Sequence, residues 1–204
     1  MYLGVKHVLD RLASGMLLCL SAPFLLGISL LIVLDSGWPP FFLQTRVGRH
    51  GQPFNVYKFR TMTRGAVHQG LATTVSEFDD RITRVGSFLR AWSLDELPQL
   101  LNVLKGEMSL VGPRPTLDYQ VAQYSPYQRR RLEVKPGITG WAQVNGRNSL
   151  PWPKRIELDV WYVDHVSLWL DLRILCRTVG VFLRREGLYG PDGVNDDFAP
   201  RRRP

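Results

Sequence analysis

Residues 13–34 read ASGMLLCLSAPFLLGISLLIVL, twenty-two residues without a charge. A bilayer-spanning helix needs about 20 such residues. A secretory signal fits less well, because its apolar core runs about 7–15 residues and no A-x-A cleavage site follows here. Pro23 lies mid-segment, with ten uncharged residues before it and eleven after. Each arm, as helix, reaches only about 15 Å, roughly half the hydrocarbon thickness. Proline deletes one backbone hydrogen bond and clashes with the preceding turn, so a kink at Pro23 is predicted. Ser21 stands close enough to help satisfy freed carbonyls. Lys6 and Arg11 precede the segment, and Arg46, Arg49, Lys58, Arg60 and Arg64 follow it, so charge gives no inside–outside bias. On these grounds a kinked spanning helix and a re-entrant helix, bending at Pro23 and leaving by the same face, stand level. The stretch DSGWPP at 35–40 ends the helix, and Trp38 suits a membrane interface.

The remaining chain bounds what this segment serves. A length of 204 residues allows one domain with a sizeable core and excludes two large ones. Lys and Arg total 26 against 18 Asp and Glu, a formal charge of +8. So basic a chain seeks anions: nucleic acid, anionic lipid or phosphorylated substrates. An apolar share of 45% excludes global disorder. A mean hydropathy of −0.11 excludes a polytopic membrane protein. Cys19 and Cys176 form no CxxC pair, and the four histidines have no metal-ligand spacing, so neither a disulfide scaffold nor a zinc site is expected.

Residues 41–62 read as short extended pieces turning at Val47-Gly48 and His50-Gly51, and 63–77 as a polar loop placed to influence ligand choice. Residues 79–92 read as a helix, with Ile82, Val85, Phe88, Leu89 and Trp92 at helical spacing. A second helix is expected from Pro98 to Lys105, stopped by Gly106. Residues 138–144 read as a strand ending at an Asn145-Gly146 turn. Residues 154–185 read as mostly helical and amphipathic enough to lie on a membrane or cover a core.

Asp95-Glu96, in WSLDELPQL, has two readings. Ser93 with Glu96 spells a capping box, in which both acids serve only a helix terminus. A helix starting at Pro98 instead leaves both carboxylates outside it, free to face a ligand. Adjacent carboxylates divide labour well: one attacks phosphorus while the other holds a hard cation. Arg114, in VGPRP, is framed by two prolines and suits a bidentate phosphate clamp. Lys58 and Arg60 alternate with Tyr57 and Phe59, which puts both cations on one face of a strand. Arg147 in NGRN and Lys135 beside Pro136-Gly137 are further anion-binding candidates. No P-loop, GxGxxG or GxSxG motif is present.

Four blocks in order, FFLQTRVGRHGQPFNVYKFRTM, SLDELPQLLNVLKGEMSLVGPRP, KPGITGWAQVNGRN and ELDVWYVDHVSLWLDL, resemble the monotopic phosphoglycosyl transferases, the bacterial sugar transferase family. The length looks like that of its minimal members. The resemblance implies transfer of a sugar-1-phosphate from a UDP-sugar to undecaprenyl or another polyprenyl phosphate, with release of UMP. It casts Asp95 as the nucleophile of a covalent phosphosugar intermediate and Glu96 as a ligand of Mg²⁺, with Asp95 beside it. Arg114 becomes a phosphate ligand, with Lys58, Arg60 and Arg147 as supporting candidates. It also makes the apolar segment re-entrant, with the catalytic domain on the cytoplasmic face of the bacterial inner membrane. One departure stands out: Ala22, not serine, directly precedes Pro23.

The expectation is therefore an α+β fold, mainly helical. Residues 1–38 form a membrane helix bent at Pro23, 39–190 a catalytic domain with amphipathic surface helices, and 191–204 a basic disordered tail. The expected partners are a UDP-sugar, polyprenyl phosphate, membrane lipid and downstream glycosyltransferases, with no nucleic acid. A non-enzymatic scaffold binding anionic lipid is the rival reading. It accounts for the charge and the anchor, but not for an acid pair beside GPRP.

Overall fold

The computed structural model describes residues 2–66, 75–76, 79–184, 187, 190 and 194–195. Helix α1 spans Tyr2–Ser36 and continues through Pro23. The apolar run thus forms only the later part of a longer helix. Its first turns carry polar residues that face the rest of the chain. Lys6, Asp10 and Ser14 are buried, as are Ile28 and Ile32 further on. Between and around them Leu12, Met16, Leu17, Leu20, Phe24, Leu26, Leu30, Leu31 and Leu34 are exposed.

Both ends of α1 therefore rest on the same body. Near the start, Lys6 pairs with Asp171 at 2.8 Å and Asp10 at 3.2 Å. Asp171 also accepts from Tyr2 and Tyr162, and Asp10 from Ser109. Ser14 donates to the Leu100 carbonyl at 2.5 Å. Near the end, Ile28 and Ile32 pack with Phe59 and Leu89. The Ser21 hydroxyl donates to the Leu17 carbonyl at 2.6 Å. The carbonyl that Pro23 leaves without an N–H donor is Cys19's, four residues back. Ser21 thus does not satisfy it, contrary to the sequence expectation. A hydroxyl bonded back one turn is itself a device that bends helices.

Strands β1 (Phe41–Val47) and β2 (Pro53–Phe59) form an antiparallel hairpin, as the turn residues predict. The two-residue strands β3 (Val75–Ser76) and β6 (Val194–Asn195) pair antiparallel, and the rest of the predicted tail lies outside the described residues. So does most of the loop at 63–77. Helix α2 (Arg84–Ala91) starts later than predicted, because Thr83 caps it by accepting from the Gly86 N–H at 2.9 Å. A 3₁₀ helix over Leu94–Gln99 leads into α3 (Leu100–Lys105), which Gly106 ends in the left-handed conformation. After β4 (Ser109–Val111) come the short helices α4 (Asp118–Ala122) and α5 (Pro126–Arg129).

Strand β5 (Gly137–Thr139) runs parallel to β4. The predicted strand at 138–144 is cut to this length because its partner ends at Val111, and α6 (Trp141–Val144) takes the remainder. The last predicted helix divides into α7 (Trp152–His165) and α8 (Leu168–Arg184). Along α8, Leu170, Asp171 and Ile174 are buried. Leu168, Trp169, Leu172, Leu175, Val179 and Leu183 form an exposed apolar stripe. Two further core clusters complete the body, one around Val47, Tyr124, Ile156 and Val160, the other around Val111, Tyr162 and Ile174.

Candidate active site

The acid pair sits on the 3₁₀ turn rather than ahead of a helix at Pro98. Ser93 adopts a left-handed conformation with φ 53° and makes no side-chain cap, so the capping-box reading fails. Its hydroxyl instead accepts from Arg147 Nη2 at 3.0 Å. Glu96 faces two cations. Lys58 Nζ donates to its Oε1 at 2.9 Å, while Arg114 Nη2 donates to Oε1 at 2.6 Å and Nη1 to Oε2 at 3.2 Å. Asp95 carries no hydrogen bond on its carboxylate among the described residues.

These surroundings drive the two acids apart. Burial raises the Asp95 carboxyl, Lys58 opposes this and the neighbouring Glu96 adds to it, leaving Asp95 above the ordinary aspartate value. Burial also acts upward on Glu96, but Arg114 and Lys58 outweigh it and hold Glu96 well below the usual carboxylate range. Paired carboxylates whose environments separate them in this way are suited to different roles.

Backbone packing sets the position of Arg114. The GPRP turn lies directly on KPGITG: the Gly112 N–H donates to the Thr139 carbonyl and the Gly137 N–H to the Pro113 carbonyl, both at 2.9 Å. A Cβ on Gly112 would come within 2.4 Å of the Lys135 carbonyl, and one on Gly137 within 2.1 Å of the Gly112 nitrogen. Only glycine permits this approach. Arg131, buried against Asp159 and Tyr124, donates to the Arg114 carbonyl at 3.0 Å from behind.

Lys58 is set by a residue the sequence reading passed over. Asn102 is fully buried. Its carbonyl accepts from the Tyr57 N–H at 3.0 Å, and its amide donates to the Asn55 carbonyl at 2.7 Å and to Glu107 at 2.8 Å. This clamps α3 to β2 beside Lys58. The only sequence signal was a polar residue on the buried face of LLNVLK.

Arg60 departs from the expected grouping. Strand β2 ends at Phe59, and the Arg60 guanidinium turns to the end of α1, donating to Ser36 Oγ at 2.9 Å and to the Gly37 carbonyl. A cation there complements the helix C-terminus. The structure thus brings together Lys58, Asp95, Glu96, Arg114 and Arg147, and places Arg60 apart from them. Arg147, at φ 50°, lies over the Phe182 ring with its charge centre 5.7 Å from the ring centre.

The carboxylates of Asp95 and Glu96 suit Mg²⁺, which takes one or two carboxylates and completes its shell with phosphate oxygens and water. Among the described residues the Asp95 carboxylate oxygens have no hydrogen-bond partner. No group of three or more His, Cys, Asp or Glu side chains converges among the described residues, so a protein-only metal cage is absent there.

The family model for bacterial sugar transferases matches residues 1–185. The chain is 50% identical over 184 residues to the uncharacterized sugar transferase EpsL of Bacillus subtilis, covering 90% of both chains. It is 45% identical over 193 residues to the UDP-glucose:undecaprenyl-phosphate glucose-1-phosphate transferase of Caulobacter vibrioides, covering 90% of this chain and 72% of that one. It is 41% identical over 199 residues to the undecaprenyl-phosphate galactose phosphotransferase of Salmonella typhimurium, covering 91% of this chain but only 42% of that protein.

Proposed function

The chain belongs to the bacterial sugar transferase family, and from that premise we propose that it transfers a sugar-1-phosphate from a UDP-sugar to a polyprenyl phosphate, releasing UMP. The relatives named for undecaprenyl-phosphate transfer support the substrates. The observation that carries the chemistry is the division within the acid pair: Glu96 is engaged by Lys58 and Arg114, while the Asp95 carboxylate has no hydrogen bond among the described residues.

In this mechanism an Asp95 carboxylate oxygen attacks the phosphorus that bears the sugar. The bond from that phosphorus to the bridging oxygen breaks, and UMP leaves with the electron pair. A phosphate oxygen of the polyprenyl phosphate then attacks the same phosphorus, forming the lipid diphosphosugar and restoring Asp95. Lys58, Arg114 and Arg147 supply fixed positive charge where the diphosphate lies and where charge develops on UMP. Mg²⁺ held by Glu96 and Asp95 would offset further diphosphate charge. UMP release should require both Mg²⁺ and the lipid for continuous turnover with at least one UDP-sugar. Lipid binding without any nucleotide turnover across a broad donor panel would favour the scaffold reading instead.

We infer the membrane arrangement from α1. Family membership and a long apolar helix support membrane association. A helix that crossed the bilayer would put its two ends on opposite sides. Here Lys6, Asp10 and Ser14 near one end, and Ile28 and Ile32 near the other, all contact one body. That supports a re-entrant α1, with the body on the cytoplasmic face and the apolar stripe of α8 in the interface. In a cysteine-free background, Gly4→Cys and Trp38→Cys should both resist a membrane-impermeant maleimide in intact bacterial spheroplasts and both react after lysis. Labelling of either from outside would reject re-entry.

A further inference from the structure

Lys135, an anion-binding candidate by sequence, does not join the acid pair. The charges acting on it are Arg11, Arg49 and Asp10, none of them in that site. Backbone contacts explain the grouping. Arg49 Nε donates to the Glu133 carbonyl at 2.9 Å, two residues before Lys135. The Ser109 N–H donates to the Pro136 carbonyl at 2.8 Å, one residue after it, and the Ser109 hydroxyl donates to Asp10. Residues 133–136 are thereby held beside α1 at Asp10. His7 and Arg11, one helical turn apart, share the flank of α1 next to this contact. The Arg11 guanidinium rests against Gly106 at the end of α3, where a Cβ on the glycine would come within 2.1 Å of Nη2.

Four basic side chains from three parts of the chain thus gather with no carboxylate to balance them. Among the described residues, His7, Arg11, Arg49 and Lys135 form no ion pair. Asp10, the carboxylate that acts on Lys135, is itself engaged by Lys6 at 3.2 Å and by Ser109. Burial first, then Arg11 and Arg49, pushes the Lys135 ammonium below the ordinary lysine value. Like charges gathered without a counter-ion cost stability, so the cluster calls for an anion from outside the chain. Its place along α1 says which anion. Arg11 is the last charge before the uncharged run, and Leu12, Met16 and Leu20 follow it with exposed side chains. The rise from residue 11 to Pro23 is about 18 Å at 1.5 Å per residue, against a hydrocarbon half-thickness of about 15 Å. With Pro23 deepest, Arg11 stands at the level of the lipid phosphates. An anion in solution would meet the same charges, but the membrane presents headgroups at this depth at high local concentration.

Resting on the membrane placement of α1 given above, we propose that His7, Arg11, Arg49 and Lys135 bind the headgroup of an anionic phospholipid at a site separate from the acid pair. Basic pockets beside membrane helices hold such headgroups through the phosphate. The site needs only that α1 enters the bilayer after Arg11, whether the helix then turns back or crosses.

The test is thermal unfolding of the full chain in a neutral detergent, with phosphatidylglycerol or phosphatidylethanolamine added at equal mole fraction. Phosphatidylglycerol should raise the wild-type melting temperature by at least about 2 °C more than phosphatidylethanolamine does, as a ligand bound only by the folded state would. Without lipid, Lys135→Gln should melt no lower than wild type, because it breaks no ion pair and relieves repulsion. It should lose most of the difference between the two lipids, and adding Arg11→Gln should abolish the rest. Arg129→Gln with Lys154→Gln, which removes the same charge elsewhere, should keep the difference. Equal shifts by the two lipids in the wild type would overturn the proposal. So would an undiminished difference in folded Lys135→Gln, or its loss in the charge-matched control. A rise with inorganic phosphate alone, abolished by the same substitutions, would assign the site to a soluble anion and overturn the lipid assignment. None of these outcomes bears on the transferase reading, which UMP release tests, or on re-entry, which maleimide labelling tests.

Discussion

Asp95→Asn should lower UMP release by at least about 10³-fold while leaving the protein folded. Loss of a covalent nucleophile removes the path through the intermediate, and little remains beyond what binding and electrostatics provide. Asparagine has almost the same shape and no hydrogen bond is broken, because Asp95 makes none among the described residues. The sign of the stability change is set by burial. Asp95 sits above its ordinary value, so the folded state favours the protonated form. Ionised Asp95 therefore costs stability as pH rises through that value, and the neutral amide avoids the cost. At neutral pH the variant's melting temperature should match or exceed the wild type's. Intact-mass measurement after UDP-sugar addition should show a sugar-phosphate adduct on the wild-type chain and none on the variant. Near-normal turnover by Asp95→Asn would remove it as nucleophile. The same shift predicts the acid limb of the pH profile. Only the carboxylate attacks, so activity should fall as pH drops through a value above that of a free aspartate.

Glu96→Gln should fail differently, losing about 10²–10³-fold in activity and also losing stability. Glu96 accepts from Lys58 and from both guanidinium ends of Arg114, and its side chain is 12% exposed. The amide keeps the shape but removes the charge those cations face. The expected destabilisation is about 1–3 kcal/mol, between an exposed ion pair and a buried one, since Arg114 remains 46% exposed. Because Glu96 is held well below its ordinary value, its contribution is present above the unfolded-state value and lost as pH falls through the folded one. Unfolding in detergent should thus separate variant from wild type at pH 7, and the two curves should converge in strong acid. A stability gap unchanged by acid would mean the charge is not what Glu96 contributes. An activity loss without a stability loss would mean that Lys58 and Arg114 find other partners.

Much of this arrangement is legible in the amino-acid sequence. The uncharged run from 13 to 34 marks a membrane segment because it cannot be hydrated cheaply, wherever the rest of the chain goes. Val47-Gly48 and His50-Gly51 punctuate a hairpin, Gly106 ends a helix, and GPRP cannot be regular structure. These are local signals, carried by backbone sterics and side-chain solubility within a few residues. The acid pair and Arg114 were visible for the same reason.

Side-chain partnership was not legible. Lys58 and Arg60 look equivalent in YKFRTM, yet one meets Glu96 and the other the end of α1, because the strand stops between them. Ser93 and Glu96 spell a cap, yet one meets Arg147 and the other Arg114. Asn102 gave only a faint sign, since a buried amide is worth having only where backbone groups of β2 lie within its reach. An apolar membrane segment, a basic body and an acid pair close to a rigid arginine are local properties of the chain and can be read along it. Which carboxylate is engaged and which is not is a property of the fold. That choice rests on distances between residues as far apart in the chain as 58 and 147, and electrostatic energy depends on separation in space, not along the chain.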